Sequence, residues 1–213
     1  MQGGSIGSIL IFELPFLRME TAMSTATSFS RLLAILICIL LLFSSRAMAG
    51  GAVGSVTQVQ NQAQVGGRTA AVGTAVYMND QLRTGANARL SITFSDGSNL
   101  TLGENARVVV DQFVYNPSKS KGTVVLSAAQ GAFRFAGGKI EGMQEKKVLV
   151  NTPSAALAVR GTHFWAGPID GQYGVLLLKG RLNVSNQAGA VTLSRSGQGT
   201  DIPLRRSGRR AQR

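Results

Sequence analysis

The sequence has one cysteine, one histidine and one tryptophan in 213 residues. The cysteine, Cys38, lies in an apolar run near the N-terminus, so the rest of the chain can form no disulfide, thiolate zinc site or thiol nucleophile. A serine–histidine–aspartate arrangement has only His163 as its base, and no glycine-flanked nucleophile elbow accompanies it. The ten acidic residues are scattered without ligand spacing, which leaves no metal pattern. Carboxylates for glycoside cleavage pair in space rather than in sequence. Nothing nominates such a pair: Asp96 falls in a turn, where aspartate serves its own backbone, and Glu141 and Glu145 lie among lysines. No catalytic residue, metal or cofactor is expected, and the chain reads as non-enzymatic.

Long hydrophobic runs are also absent. The longest, Leu32 to Phe43, has twelve residues, too few to span a bilayer comfortably. Arg31 precedes it and Ala47-Met48-Ala49 follows, the pattern of a secretory signal peptide cleaved after Ala49. A lipoprotein signal needs a small residue before the cysteine, where Ile37 stands. Met19 and Met23 each offer a more typical start, so residues 1–22 read as an over-extended beginning and 23–49 as the signal peptide. Export without disulfides fits a bacterial periplasm, with secretion or an inner-membrane anchor as the alternatives.

From Gly50 onward there are 19 basic and 8 acidic residues, a net charge of +11. Five of the positives, Arg205, Arg206, Arg209, Arg210 and Arg213, form a basic tail, without which the body is +6. The tail reads as a solvated end. Its functional alternative is loose contact with the cell wall, anionic lipid or nucleic acid. No aromatic residue interleaves the arginines, so base stacking has no support and sequence-specific nucleic-acid binding is not expected.

What the chain does have is glycine, 23 in the 164 residues from Gly50, about twice the usual share of roughly 7%. The glycines separate short runs rich in Val, Ile, Leu, Phe and Thr, and no segment holds a helical period. The class is all-β: one domain over 50–204, a β-sandwich with some solenoid character. In ARLSITFSDGSNLTL (88–102) a two-residue Asp96-Gly97 turn would mix the faces. A three-residue loop, Ser95-Asp96-Gly97 with a left-handed glycine, pairs Ile92 with Leu100 and Leu90 with Leu102. GANARL (85–90) returns as GENARV (103–108), and QGAF (130–133) has a fainter echo in KGRL (179–182), which suggests stacked turn-strand units. Residues 116–122 and 137–147 read as polar loops, the second as the most flexible segment.

NTPSAALAVRGTHFW (151–165) gathers the rarest side chains. Leu157 and Val159 share a face, and Phe164 falls on the opposite parity unless one residue is inserted. A bulge at Gly161 restores it. Arg160 could then donate to loop carbonyls and tie neighbouring turns. The functional alternative is a recognition corner in which Arg160 and Thr162 meet an anionic partner. His163, beside Phe164 and Trp165, reads first as a packed or edge residue. It is also the candidate pH-responsive group, since imidazole charges near neutrality. Thr152-Pro153 marks the bend into this segment.

With these pieces in order, the chain resembles a FecR-type domain. The resemblance rests on Asp80, Thr84 and Gly85 in VYMNDQLRTG, and on Asp96 and Gly97 in FSDGSNLTLGENA. It continues through Thr152, Pro153, Arg160, Gly161, Thr162 and Phe164 in NTPSAALAVRGTHF, then LLLKGRLNV (176–184) and SGQGTDI (196–202). It implies an all-β periplasmic domain that reads the state of another envelope protein by contact. In the full-length regulators of iron-uptake signalling this domain follows a cytoplasmic anti-sigma segment and a membrane helix. Here a leader stands in that place, so a stand-alone exported interaction module is the expectation. The family's usual acidic residue after Arg-Gly-Thr is His163 here.

Overall fold

The computed structural model describes residues 50–202. The expected leader with Cys38, the last two residues of the expected domain, and the tail with Arg205, Arg206, Arg209, Arg210 and Arg213 lie outside the described residues. Fifteen strands make up most of the rest. The first seven are β1 (Gly54–Gln60), β2 (Ala63–Val65), β3 (Arg68–Thr69), β4 (Ala75–Val76), β5 (Gln81–Thr84), β6 (Arg89–Phe94) and β7 (Asn99–Leu102). Then come β8 (Arg107–Asn116), β9 (Lys121–Gln130), β10 (Phe133–Ala136) and β11 (Glu145–Asn151). The last are β12 (Ala156–Ile169), β13 (Gln172–Asn186), β14 (Gly189–Leu193) and β15 (Gly199–Ile202).

All fifteen join one sheet in the order β3-β2-β5-β8-β9-β11-β12-β10-β7-β6-β1-β4, with β13 on β12 and both β14 and β15 on β13. The sheet curls as an open half-barrel, and a single apolar cluster fills it. The all-β class is as expected, and the packed interior comes from one curling sheet. Its rule is period two: β9 and β6 alternate buried and open positions along their lengths. Phe133 and Phe135 of β10 meet Phe164 of β12, with ring centroids 5.8 and 6.0 Å apart, and all three are buried.

The hairpin register is as read from its faces. Ile92 pairs with Leu100 and Leu90 with Leu102, and Gly97 has φ +82°. The echo also has a structural meaning. Gly85–Ala88 and Gly103–Ala106 are four-residue turns whose third residues, Asn87 and Asn105, have φ +53° and +50°. Two further turns share that geometry, Ala71–Thr74 through Gly73 and Tyr77–Asp80 through Asn79. A positive φ at the third position selects Gly or Asn and little else, so only those residues recur.

Other expectations change. Residues 137–147 are not one flexible loop: Lys139–Gly142 is a short 3-10 helix and Glu145 begins β11. β11 runs parallel to β9, Val148 beside Val124 and Val150 beside Leu126. Pro117–Lys119 is likewise a 3-10 turn between two ten-residue strands. The glycines at 161 and 180 do not end their strands: β12 runs on for 14 residues and β13 for 15. Strands β2, β3, β5 and β15 are short, two to four residues each.

Candidate functional site

Three of the sequence motifs meet at one corner. The Ser95–Gly97 turn, the glycine pair Gly137-Gly138 with its 3-10 helix, and the Arg160–Thr162 bulge are far apart in sequence. Lys139 N–H donates to the Asp96 carbonyl at 2.9 Å, and Gly137 N–H donates to the Thr162 carbonyl at 3.1 Å. Asp96 is buried, 1% exposed. Its Oδ1 accepts from Ser98 N–H at 2.9 Å and from Ser98 Oγ at 2.6 Å, and its Oδ2 accepts from Ile140 N–H at 3.4 Å. A Cβ on Gly138 would lie 2.6 Å from the Asp96 carbonyl oxygen, so this approach needs glycine.

The bulge is present and is double. Arg160 pairs with Arg181, His163 with Lys179 and Phe164 with Leu177, so β12 gains a residue at the first shift and β13 gains one at the second. Gly161 (φ +66°) and Gly180 (φ +89°) turn the backbone at this crossing. The extra residue sends Thr162 and Phe164 inward, both fully buried. The tie between turns is made by Thr162 rather than Arg160. Thr162 Oγ1 accepts from Arg160 N–H at 3.1 Å and donates to the Arg181 carbonyl at 2.5 Å. The Arg160 side chain is on the exposed face, in a groove of about 500 Å³ with Lys146, Lys147 and Arg181. A β-bulge re-aims side chains in this way, one inward and its neighbour out.

The remaining motif residues act on backbone elsewhere. Thr84 Oγ1 donates to the Gly103 carbonyl at 2.6 Å and accepts from Ala106 N–H at 2.8 Å. The Gly85 carbonyl accepts from Asn105 N–H at 3.0 Å, which joins the two echo turns. Asp80 Oδ2 accepts from Tyr77 N–H at 2.9 Å and faces Arg68 at 3.8 Å. Thr152 Oγ1 accepts from Ala155 N–H at 3.0 Å, and Pro153 is exposed at the bend. His163 is half-buried on the face opposite Thr162, with Lys179 and Ala136 as ladder partners. An acidic residue at 163 would have Lys179 as its ladder partner; His163 removes that attraction.

One residue at the corner, set aside from sequence because it lies among lysines, has a distinct environment. Glu141, on the 3-10 helix, has a buried Oε1 with no hydrogen-bond partner. Its carboxyl is pushed up from 4.5 to about 6, chiefly by burial and further by the charge of Asp96. The Thr162 and Gly161 N–H groups and Lys146 act in the other direction. The folded state therefore holds this proton above the unfolded value. The protonated group costs nothing below pH 4.5, and stability is lost as pH rises toward 6. Glu141→Gln is expected to raise stability at pH 7 by about 1 kcal/mol, after allowance for solvent screening of a half-buried group. It should also flatten the stability profile between pH 4.5 and 6, checked by urea titrations across that range. An unchanged profile would remove Glu141 as its source.

Among the described residues, no three of His, Cys, Asp and Glu cluster to hold a metal ion, and no helix is long and apolar enough to cross a membrane. Residues 80–183 match the family model described as FecR protein, a span that contains every motif residue from Asp80 to Phe164. No curated protein matches the sequence. Similar solved structures include two crystal structures, at 1.65 and 2.50 Å resolution, of a candidate anti-sigma factor from Parabacteroides distasonis. They are 15% and 14% identical, with TM-scores of 0.42 and 0.44, and each match covers 58% of this chain. The chain spans 59% of the length of those proteins.

Proposed function

We propose that this chain, whose residues 80–183 carry a FecR domain, is a non-enzymatic interaction module of the periplasm that senses or signals by binding another envelope protein. The domain is read as extending over 50–204, because β1 continues the sheet against β6 and β15 continues it against β13. The observation that carries this reading is the use of the buried polar side chains. Among the described residues the buried threonines, aspartate and serine, Thr84, Thr162, Asp96 and Ser98, are each hydrogen-bonded within a turn or bulge. The buried oxygens without a partner, Glu141 Oε1 and the Tyr173 hydroxyl, lie on separate elements. A catalytic group must instead reach a substrate atom.

Contact surface is what the fold offers. β14 has β13 on one side and no strand on the other among the described residues. Its sequence, GAVTL, carries no lysine or proline to discourage pairing, and Val191 is exposed. An extended segment of a partner can continue the sheet there. The test is affinity capture from envelope extracts with the folded protein, followed by mass spectrometry. A reproducible partner is expected; recovery of nothing above an unrelated β-domain would count against the module.

A further inference from the structure

Arg160 and Arg181 are direct ladder partners across β12 and β13. Like charges placed opposite each other in an antiparallel pair repel. Lys147 adds a third cation to the same row. It lies two residues before Leu149, whose partner Ala158 lies two residues before Arg160, and all three side chains line one groove of about 500 Å³. Three adjacent strands thus carry a positive side chain each, at a strand spacing of about 4.8 Å. No carboxylate lines the groove. The ion pairs among the described residues are elsewhere, Arg68 with Asp80 and Lys121 with Glu145. Lys146 donates to the Glu141 carbonyl, whereas the other three cations have no hydrogen-bond or ion-pair partner among the described residues.

We infer that this groove takes an acidic, extended segment of the partner protein, with the Arg160–Arg181 pair as its anchor and Lys147 beside it. The inference rests on the interaction-module reading and names the chemistry of what that module binds. Two guanidinium forks side by side suit carboxylates, each of which accepts two parallel N–H donors. The apolar part of the lining decides between anions. Leu149 and its ladder partner Ala158 line the groove on the same face as the cations, surface that apolar side chains between acidic residues cover. A phosphate polymer offers that surface only charge and hydroxyl groups. A second copy of the chain is disfavoured, because it would bring an equally cationic face.

The probe is a fluorescein-labelled peptide of repeating Glu-Leu-Glu-Ser, titrated with the full chain and read by anisotropy. Binding is expected, weakening as salt rises. Replacing both arginines, Arg160→Ser with Arg181→Ser, should weaken it at least about tenfold, since a desolvated charge pair is lost. Removing residues 205–213 should change it less than about twofold. Arg181→Glu supplies the missing counter-charge within the ladder. It should therefore raise the melting temperature and abolish peptide binding, a combination that mere structural damage does not produce. Native-like affinity in the double variant would overturn the inference, as would loss of binding on removing the tail. So would inorganic polyphosphate of matched charge binding as tightly as the peptide, or a lower melting temperature for Arg181→Glu. If the double variant still captures the same envelope partners as the native chain, the groove is refuted while the interaction module stands. If the native chain captures none, the module itself fails.

Discussion

Gly180→Ala is expected to destabilise the domain by about 3–5 kcal/mol, the sum of a left-handed backbone penalty and a steric one. Gly180 has φ +89°, and a Cβ there would collide with the carbonyl oxygen of Gly161 on the neighbouring strand. Relief requires separating β12 from β13 at their paired bulges, which withdraws Thr162 from the Arg181 carbonyl and Phe164 from the core. Gly97→Ala supplies the comparison. Gly97 has nearly the same φ, +82°, but nothing lies within 4 Å of its added Cβ. It should cost only the conformational strain, about 1–2 kcal/mol. Thermal melts of the two variants separate the terms. The Gly180 variant should melt about 10 °C below the native chain or fail to fold, and the Gly97 variant only a few degrees below. Equal shifts would mean that the close approach at the bulge contributes nothing.

Asp96→Ala should cost about 3 kcal/mol, because it strands three donors at once in a buried corner. The Ser98 N–H and hydroxyl and the Ile140 N–H all lose their acceptor. The hairpin turn and the 3-10 helix should loosen together, although they are 44 residues apart in sequence. Hydrogen exchange at Ile140 and Ser98 reports that coupling. Asp96→Asn keeps one carboxyl-like oxygen for Ser98 and presents an amide donor to Ile140, so it should cost roughly half as much. Loss of the Asp96 charge should also lower the carboxyl of Glu141 from about 6, since that charge is among the causes raising it. If Ile140 kept its full protection in Asp96→Ala, the bond from loop to turn would carry no weight.

Parity explains what was legible in advance. The Leu90–Leu102 and Ile92–Leu100 register followed from the faces, because a slip of one residue moves every apolar side chain to the other side. The bulge at Gly161 followed from Phe164 standing out of phase with Leu157 and Val159. Its counterpart on β13 was visible only as an echo between QGAF and KGRL, whose glycines Gly131 and Gly180 both have positive φ. Arg160 as the tie was a misassignment of role. The bulge reverses facing between Arg160 and Thr162, and the shorter hydroxyl, being buried, can serve two backbone groups. Glu141 gave no signal at all, since a glutamate among lysines reads as a solvated loop until Gly137 and Thr162 close over it.

The sequence by itself determined the all-β class, the hairpin register, the position of the bulge and the FecR resemblance that the match over residues 80–183 bears out. Each of these is local, set by alternation along one strand or by a turn that admits only Gly or Asn. Which strands become neighbours was decided by the tertiary structure alone. The parallel pairing of β11 with β9 and the convergence of three loops on Asp96 depend on how the sheet curls to bury its apolar face. The same curling sets Lys147, Arg160 and Arg181 in one row. A period of two records which face a residue takes, but carries no record of the strand beside it.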